Sequence, residues 1–170
     1  CASYGVIHNK PITDTPSGKP YSIKTWADSK EVQDFVFVLN FSGGGTRAAA
    51  MAYGVLEGLR DTPVTIDGKQ GRLLDEVTHI SSVSGGSFAS AYYGLYGDKI
   101  FEDFKNDFLL KDVQGHLTRS LLNPFHWFGH KGRTERSAEY YNEILFHDAT
   151  FGDMMQPGRP MIVINASDLA

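Results

Sequence analysis

One pattern occurs twice in this chain and constrains its fold most: an apolar run leads into a glycine cluster, and an Ala-rich segment follows. The first apolar run, Phe35–Leu39, precedes the glycines Gly43–Gly45 and a helix predicted over Thr46–Arg60. The second run, Val77–Ser81, ends at another glycine pair and continues into a helix predicted over Ser87–Tyr96. Strands without polar alternation are buried on both faces, as in parallel sheets. The repeated pattern therefore predicts two strand–turn–helix units.

The rest of the chain extends this alternation. Met161–Asn165 is a third apolar run, while Ile100–Leu110 and Glu135–Phe146 have the apolar spacing of helices. Thr62–Arg72, with a proline and two glycines, reads as a loop. Strands that alternate with helices predict an α/β domain with a mainly parallel sheet.

Composition narrows the possible partners. The 170 residues carry a formal net charge of −4, which gives no basic surface for nucleic acid. No apolar run approaches the roughly 18 residues that span a bilayer. No Cys/His cluster has the spacing of a structural metal site, so we predict no metal.

The cysteine at position 1 is the only one in the sequence. Bacterial lipoproteins begin with such a residue after signal-peptide cleavage, and its thiol then carries lipid. Residues 1–30, polar and containing Pro11, Pro16 and Pro20, would form the tether. We therefore expect lipid attachment at Cys1; the alternative is an arbitrary boundary at this position.

The second glycine cluster resembles a nucleophile elbow, Gly-x-Ser-x-Gly, in which a serine occupies a sharp strand-to-helix turn. Ser84 takes the nucleophile position, followed by Gly85 and Gly86, and Ser82 replaces the first glycine. The positive end of the following helix favours developing negative charge there. The alternatives are that these serines only cap the helix, or that Ser87, which has no elbow pattern around it, is the nucleophile.

The first cluster would complement such a serine. Three successive glycines, Gly43, Gly44 and Gly45, let backbone N–H groups approach a ligand without a Cβ in the way. Such donors form oxyanion holes, and Arg47 would add a positive charge nearby. A tight turn beside a surface arginine is the simpler alternative.

A nucleotide-binding function competes for the same glycines. Gly43-x-Gly45-x-x-Ala48 fits the dinucleotide fingerprint, and Val64–Asp67 would then supply the second strand and its ribose-binding acid. That strand would be very short, and the serine elbow would remain unexplained. A P-loop is excluded, because no Gly-Lys-Ser/Thr follows the glycines.

Together, Phe41–Ala50 and His79–Ser87 closely resemble the two motifs of the patatin-like phospholipases, in the same order and at the same separation. Gly54–Leu59 and Asn165–Leu169 fit the same family. The resemblance runs from about residue 35 to Ala170. It implies a three-layer α/β/α fold with a mainly parallel sheet, and residues 31–170 would form the N-terminal portion of such a domain.

The resemblance implies a lipid acyl hydrolase that works through a Ser–Asp dyad and an acyl-enzyme, without histidine or cofactor. Ser84 would be the nucleophile, and the oxyanion hole would comprise Gly43, Gly44, Gly45 and Arg47. With lipid on Cys1, the protein would act on membrane lipids or other acyl esters in the bacterial cell envelope, at the outer membrane. The downstream histidines are then interpreted as surface or core residues: His116, His126, His130 and His147.

The family places its dyad aspartate in an Asp-Gly-Gly or Asp-Gly-Ala motif after the serine. Here the only Asp-Gly is Asp67-Gly68, which precedes Ser84, and Asp168 matches a different family position. We assign no aspartate and expect the motif beyond Ala170. A non-catalytic lipid- or protein-binding module of the same fold is the alternative function. The aromatic segment Leu121–Trp127 would contact lipid or pack on the core.

Overall fold

The computed structural model describes residues 20–28, 36–111 and 133–167. Its strands are β1 (Phe37–Phe41), β2 (Pro63–Ile66), β3 (Lys69–Arg72), β4 (Val77–Val83) and β5 (Met161–Asn165). Its α-helices are α1 (Ile23–Asp28), α2 (Gly45–Arg60), α3 (Gly86–Tyr96) and α4 (Arg133–Tyr141). Shorter 3₁₀ segments span Leu73–Glu76, Gly97–Phe101 and Phe151–Met154, and π-helical segments span Lys105–Leu109 and Asn142–Phe146.

Strands β1, β4 and β5 form a parallel sheet in the order β1-β4-β5. The central strand β4 is the most buried of the three, as its apolar sequence predicts. In the register, Leu39 lies opposite Ile80, and Ile80 lies opposite Ile162. The predicted parallel sheet is confirmed, although β1 begins and ends two residues later than its apolar run suggested.

Helices α2 and α3 cover the face of the sheet that carries Ile80. Helix α3 lies close to β5 at Gly94: a Cβ added there would lie 2.5 Å from Cγ1 of Ile162, which leaves no room for a side chain. Between these layers the core is continuous and contains wholly buried Leu56, Ile80 and Phe104. This packing fixes α3 against the sheet, and therefore fixes the turn that leads into it.

The short helix α1 lies on the opposite face. Its Trp26 ring lies 4.5 Å from the ring of His79, which precedes Ile80 and so faces the other side of the sheet. The Tyr21 hydroxyl accepts a hydrogen bond from Ile162 N–H (2.7 Å) and donates one to Ile162 O (3.2 Å). The sequence predicted an extended arm over residues 1–30; within it, residues 20–28 instead pack on the sheet. Residues 1–19 lie outside the described part.

Thr62–Arg72 is a β-hairpin and not the loop that the sequence predicted. Strands β2 and β3 pair antiparallel and form a separate two-stranded sheet. The Arg72 guanidinium, at the end of β3, connects the hairpin to the segments that follow it through ion pairs of 2.6 Å to both Asp75 and Asp98. The hydrogen bond from the Arg72 guanidinium lowers the pKa of Asp75 below its usual value.

The hairpin also overturns the dinucleotide-binding interpretation. That interpretation needs Val64–Asp67 to be a strand of the parallel sheet, followed by an acid at its carboxyl edge. Instead β2 belongs to the hairpin, and Asp67 lies in its turn with φ +50°. The glycines after β1 therefore have no ribose-binding partner at this position.

The two downstream helical predictions hold, but the winding differs. Both segments contain π-helical stretches, Lys105–Leu109 and Asn142–Phe146, which contact each other. Their aromatic side chains pack on α3, with the Phe88 and Phe108 rings 4.8 Å apart. Apolar spacing predicts a helix but cannot distinguish 3.6 residues per turn from the wider π winding, which tertiary packing selects.

Within the described ranges, no helix is both long enough and apolar enough to cross a membrane. The segment Leu121–Trp127, for which the sequence left lipid contact or core packing open, lies outside those ranges. The same is true of His116, His126 and His130. Lipid contact and core packing by Leu121–Trp127 therefore both remain predictions.

Candidate active site

The two glycine turns meet at the carboxyl edge of the sheet. Strands β1 and β4 are parallel neighbours, and Phe41 at the end of β1 lies opposite Ser82. The residues that follow, Ser42–Gly45 and Val83–Gly86, therefore leave the sheet side by side. Ligands of open α/β sheets bind at this edge.

Ser84 forms the tip of the second turn. It has φ +51°, a left-handed conformation that costs a non-glycine residue roughly 1–2 kcal/mol. Its side chain is exposed, and its carbonyl accepts a hydrogen bond from Ser87 N–H at 3.0 Å, which closes the turn into α3. A strained, exposed serine between a strand and a helix has the geometry of a nucleophile elbow.

The glycines after Ser84 let the two turns interlock. A Cβ on Gly85 would overlap the carbonyl oxygen of Gly45 and lie 2.7 Å from its nitrogen. A Cβ on Gly86 would lie 2.7 Å from the carbonyl oxygen of Ser42. Both positions require glycine because another backbone occupies the space of a side chain.

The glycine loop lies directly beside the serine side chain. A Cβ on Gly43 would lie 3.2 Å from Cβ of Ser84 and 3.7 Å from its Oγ. Gly44 and Gly45 have φ +138° and +63°, conformations that favour glycine. The N–H groups of Gly43 and Gly44 donate to no residue that the structure describes. They are available to a ligand next to Ser84.

The N-terminus of α2 adds to this group of donors. The first N–H groups of a helix have no intrahelical partner, and no side chain in the described part of the chain caps those of α2. Arg47 lies exposed in the first turn of α2, directly after the glycine loop. The helix dipole and this cation both favour an anion at the carboxyl edge.

Ser82, which stands where the elbow pattern has its first glycine, is buried. Its hydroxyl lies 2.6 Å from that of Ser90 in α3, and it also reaches the carbonyl of Val163 at 3.4 Å. The replacement thus connects β4 to α3 and β5 just before the turn. The sequence indicates the position of Ser82 in the elbow but not its bond to Ser90, which lies eight residues further along the chain.

The alternative functions of the neighbouring serines are not supported. Gly85 is the N-cap of α3, and no side chain of a described residue caps this helix. The Ser87 hydroxyl is buried and has no hydrogen-bond partner in the described structure, so a substrate cannot reach it as the helix stands. Among the candidate nucleophiles, Ser84 is the exposed one.

No hydrogen bond between described residues joins the Ser84 hydroxyl to a titratable side chain. His147 is exposed and follows Phe146, whose carbonyl binds the hydroxyl of Tyr96 at the C-terminal end of α3. Burial raises the pKa of Tyr92 and of Tyr93 in α3 to about 12, so both stay protonated at neutral pH.

Two further candidates fall outside the described part of the chain. Asp168, which the sequence assigned to another family position, and Cys1 lie outside the described ranges. No group of three or more His, Cys, Asp or Glu side chains in the described part could hold a metal ion.

The fold and this edge define an α/β protein with a serine elbow beside a glycine loop. The family model "Patatin-like phospholipase" matches residues 39–153, more than half of the 170 residues, so the chain belongs to that family. Members of this family are generally lipid acyl hydrolases. No curated protein and no solved structure matches the chain significantly. The matched range includes both turns and the helices that follow them.

Proposed function

We propose that the protein is a serine acyl hydrolase that cleaves lipid acyl esters, with Ser84 as its nucleophile. The glycine loop Gly43–Gly45, with Arg47 near it, forms the oxyanion hole. Ser82, Gly85 and Gly86 form the elbow that presents the serine. The family membership supports the substrate class, and the geometry of the two turns supports the residue roles.

One observation carries the proposal: Ser84 is an exposed serine in a left-handed conformation beside Gly43, whose N–H group, like that of Gly44, donates to no described residue. Strain of this kind persists where the surrounding structure enforces it, which is common in catalytic sites. Unused donors beside a nucleophile are the arrangement that stabilises a tetrahedral oxyanion.

The reaction follows from these positions. The Ser84 hydroxyl oxygen attacks the ester carbonyl carbon while its proton passes to a base, and the carbonyl oxygen becomes an oxyanion held by the loop N–H groups. Collapse expels the alcohol, which takes up the proton, and leaves an acyl-enzyme that water hydrolyses. The base is the family's dyad aspartate, which we assign to no residue of this chain.

The test uses the full-length protein and a fluorophosphonate probe, which phosphonylates an activated serine with loss of fluoride. We expect stoichiometric labelling of the wild type at Ser84, identified by peptide mass spectrometry, and hydrolysis of a short-chain acyl ester. Ser84→Ala should abolish both. Ser87→Ala, a change to the other serine of the turn, is the matched control and should retain labelling.

Equal labelling of the wild type and Ser84→Ala would refute the proposed nucleophile. Binding of lipid vesicles with no labelling and no ester turnover would instead support the non-catalytic module. Labelling that is lost in Ser87→Ala but kept in Ser84→Ala would move the nucleophile to Ser87.

A second part of the proposal concerns location. We propose that Cys1 carries lipid and holds the protein at the bacterial outer membrane, close to its substrate. This part is supported by the sequence alone. The intact mass of the native protein should exceed the polypeptide mass by that of the acyl groups, and an unmodified Cys1 would refute the anchor.

A further inference from the structure

At the end of β5, the side chain of Asn165 contacts the last residues of β4, just before the elbow. The Asn165 backbone lies opposite Val83 in the parallel register. Its Nδ2 donates to the Ser81 hydroxyl oxygen at 3.0 Å and to the Ser82 carbonyl oxygen at 3.1 Å. We infer that Asn165 is a positioning residue for the nucleophile: its amide fastens the last residues of β4 and so maintains the strained conformation of Ser84.

This inference rests on the proposed function of Ser84, because a positioned serine matters only if it reacts. The inference goes beyond the proposed function because it assigns a role to a residue in β5. Asn165 lies outside the two turns that contain the proposed catalytic groups.

The orientation of the amide follows from its partners. The carbonyl oxygen of Ser82 can only accept a hydrogen bond, so the side-chain atom next to it must be the nitrogen. The same NH₂ group has two hydrogens, one for each oxygen. An aspartate of the same shape would place a second acceptor against the Ser82 carbonyl, which is repulsive.

The two contacts act where strain has to be resisted. Ser81 and Ser82 are the third and second residues before Ser84, and the left-handed turn begins directly after Val83. Without restraint at the end of β4, the backbone at Ser84 can leave its left-handed conformation for one of lower energy. On the α3 side, the buried Ser82–Ser90 contact restrains the same residue. On the sheet side, Asn165 adds its two hydrogen bonds to the longer contact between the Ser82 hydroxyl and the Val163 carbonyl.

The test compares Asn165→Asp with Asn40→Asp in the full-length protein. Asn40 is the matched control: it lies in the neighbouring strand β1 opposite Ser81, it is exposed, and its side chain bonds to no described residue. Both variants make the same chemical change at the same edge of the sheet. Only one removes a donor to the elbow.

We expect the fluorophosphonate labelling rate of Asn165→Asp to fall about tenfold, which corresponds to about 1.4 kcal/mol in activation free energy. Asn40→Asp should stay within about twofold of the wild type, as expected for a surface change. For an ester substrate, kcat should fall while KM is unchanged. A general loss of folding would instead lower the melting temperature and the active fraction.

Hydrogen exchange tests the restraint without requiring activity. In Asn165→Asp, the peptide that covers residues 80–88 should exchange faster than in the wild type, and in Asn40→Asp it should not. If Asn165→Asp does not fold, Ser81→Ala, which removes one of the two acceptors, should give a smaller effect of the same kind.

The outcomes separate the two proposals. If wild type labels at Ser84 but Asn165→Asp labels as fast, with unchanged exchange over residues 80–88, only the role of Asn165 is refuted. If labelling of the wild type survives Ser84→Ala, the proposed function fails. The exchange comparison then still decides whether Asn165 restrains the turn.

Discussion

The loop after β1 and the elbow after β4 are both strand–glycine–helix turns, yet their glycines serve different physical needs. In the loop, Gly45 has φ +63°, while a Cβ added to it would meet nothing within 4 Å. In the elbow, Gly85 has an ordinary helical φ of −55°, while a Cβ added to it would overlap the backbone of Gly45. The loop needs glycine for its backbone conformation, and the elbow needs it for space.

The two turns also differ in which residue type adopts the left-handed backbone conformation. In the loop, glycines adopt the left-handed conformations at little cost, because they have no Cβ. In the elbow, the left-handed residue is Ser84 itself, and the neighbouring contacts of Ser82 and Asn165 hold the strand that precedes it. A turn made of glycines needs no such support, whereas a strained serine does.

The largest expected effect comes from filling the space between the two turns. Gly85→Ala keeps a permitted φ but forces the Gly45 backbone away, and overpacking of this kind costs about 3 kcal/mol. We expect a clear fall in the urea midpoint and loss of fluorophosphonate labelling. A variant that retains wild-type stability and labelling would show that the turns do not interlock.

An intermediate effect is expected where only the conformation is constrained. Gly45→Ala has room for its Cβ but must adopt φ +63°, which costs about 1–2 kcal/mol. Gly45→Asn should cost less, because asparagine tolerates this region better. Denaturant unfolding of both variants measures the difference; equal losses would contradict a conformational cause.

The smallest effect, of opposite sign, is expected at the glycines of α2 that have neither constraint. Gly54 and Gly58 are exposed, and a Cβ on either would meet nothing within 4 Å. Because glycine weakens a helix interior, Gly54→Ala and Gly58→Ala should each raise the unfolding free energy by about 0.5–1 kcal/mol. Urea titration of each variant and the wild type would measure this rise in unfolding free energy. A loss of stability would mean that this face of α2 has a partner.

Much of the site could be predicted from the sequence because it is local. The strand, the glycines and the helix of each turn are contiguous, so apolar runs and glycine positions were enough to predict the turns and to select Ser84. The hairpin Pro63–Arg72 was missed because Pro63 and Gly71 read as loop residues. Its sequence signals were the alternation of Val64 and Ile66 and the two-residue turn Asp67-Gly68. The contacts of Ser82 with Ser90 and of Asn165 with Ser81 join distant positions, which no local pattern records.

The sequence by itself determined the parallel α/β class, the family and the candidate nucleophile, since each depends on residue types at short spacing. Only the tertiary structure decided why Gly85 must be glycine, how the loop lies against Ser84, and which side chains hold the elbow. Those properties depend on the distance between Gly85 and Gly45, which are separated along the chain by a helix, a hairpin and a strand. Packing brings them into contact, and steric exclusion between the two backbones then fixes the geometry of the site.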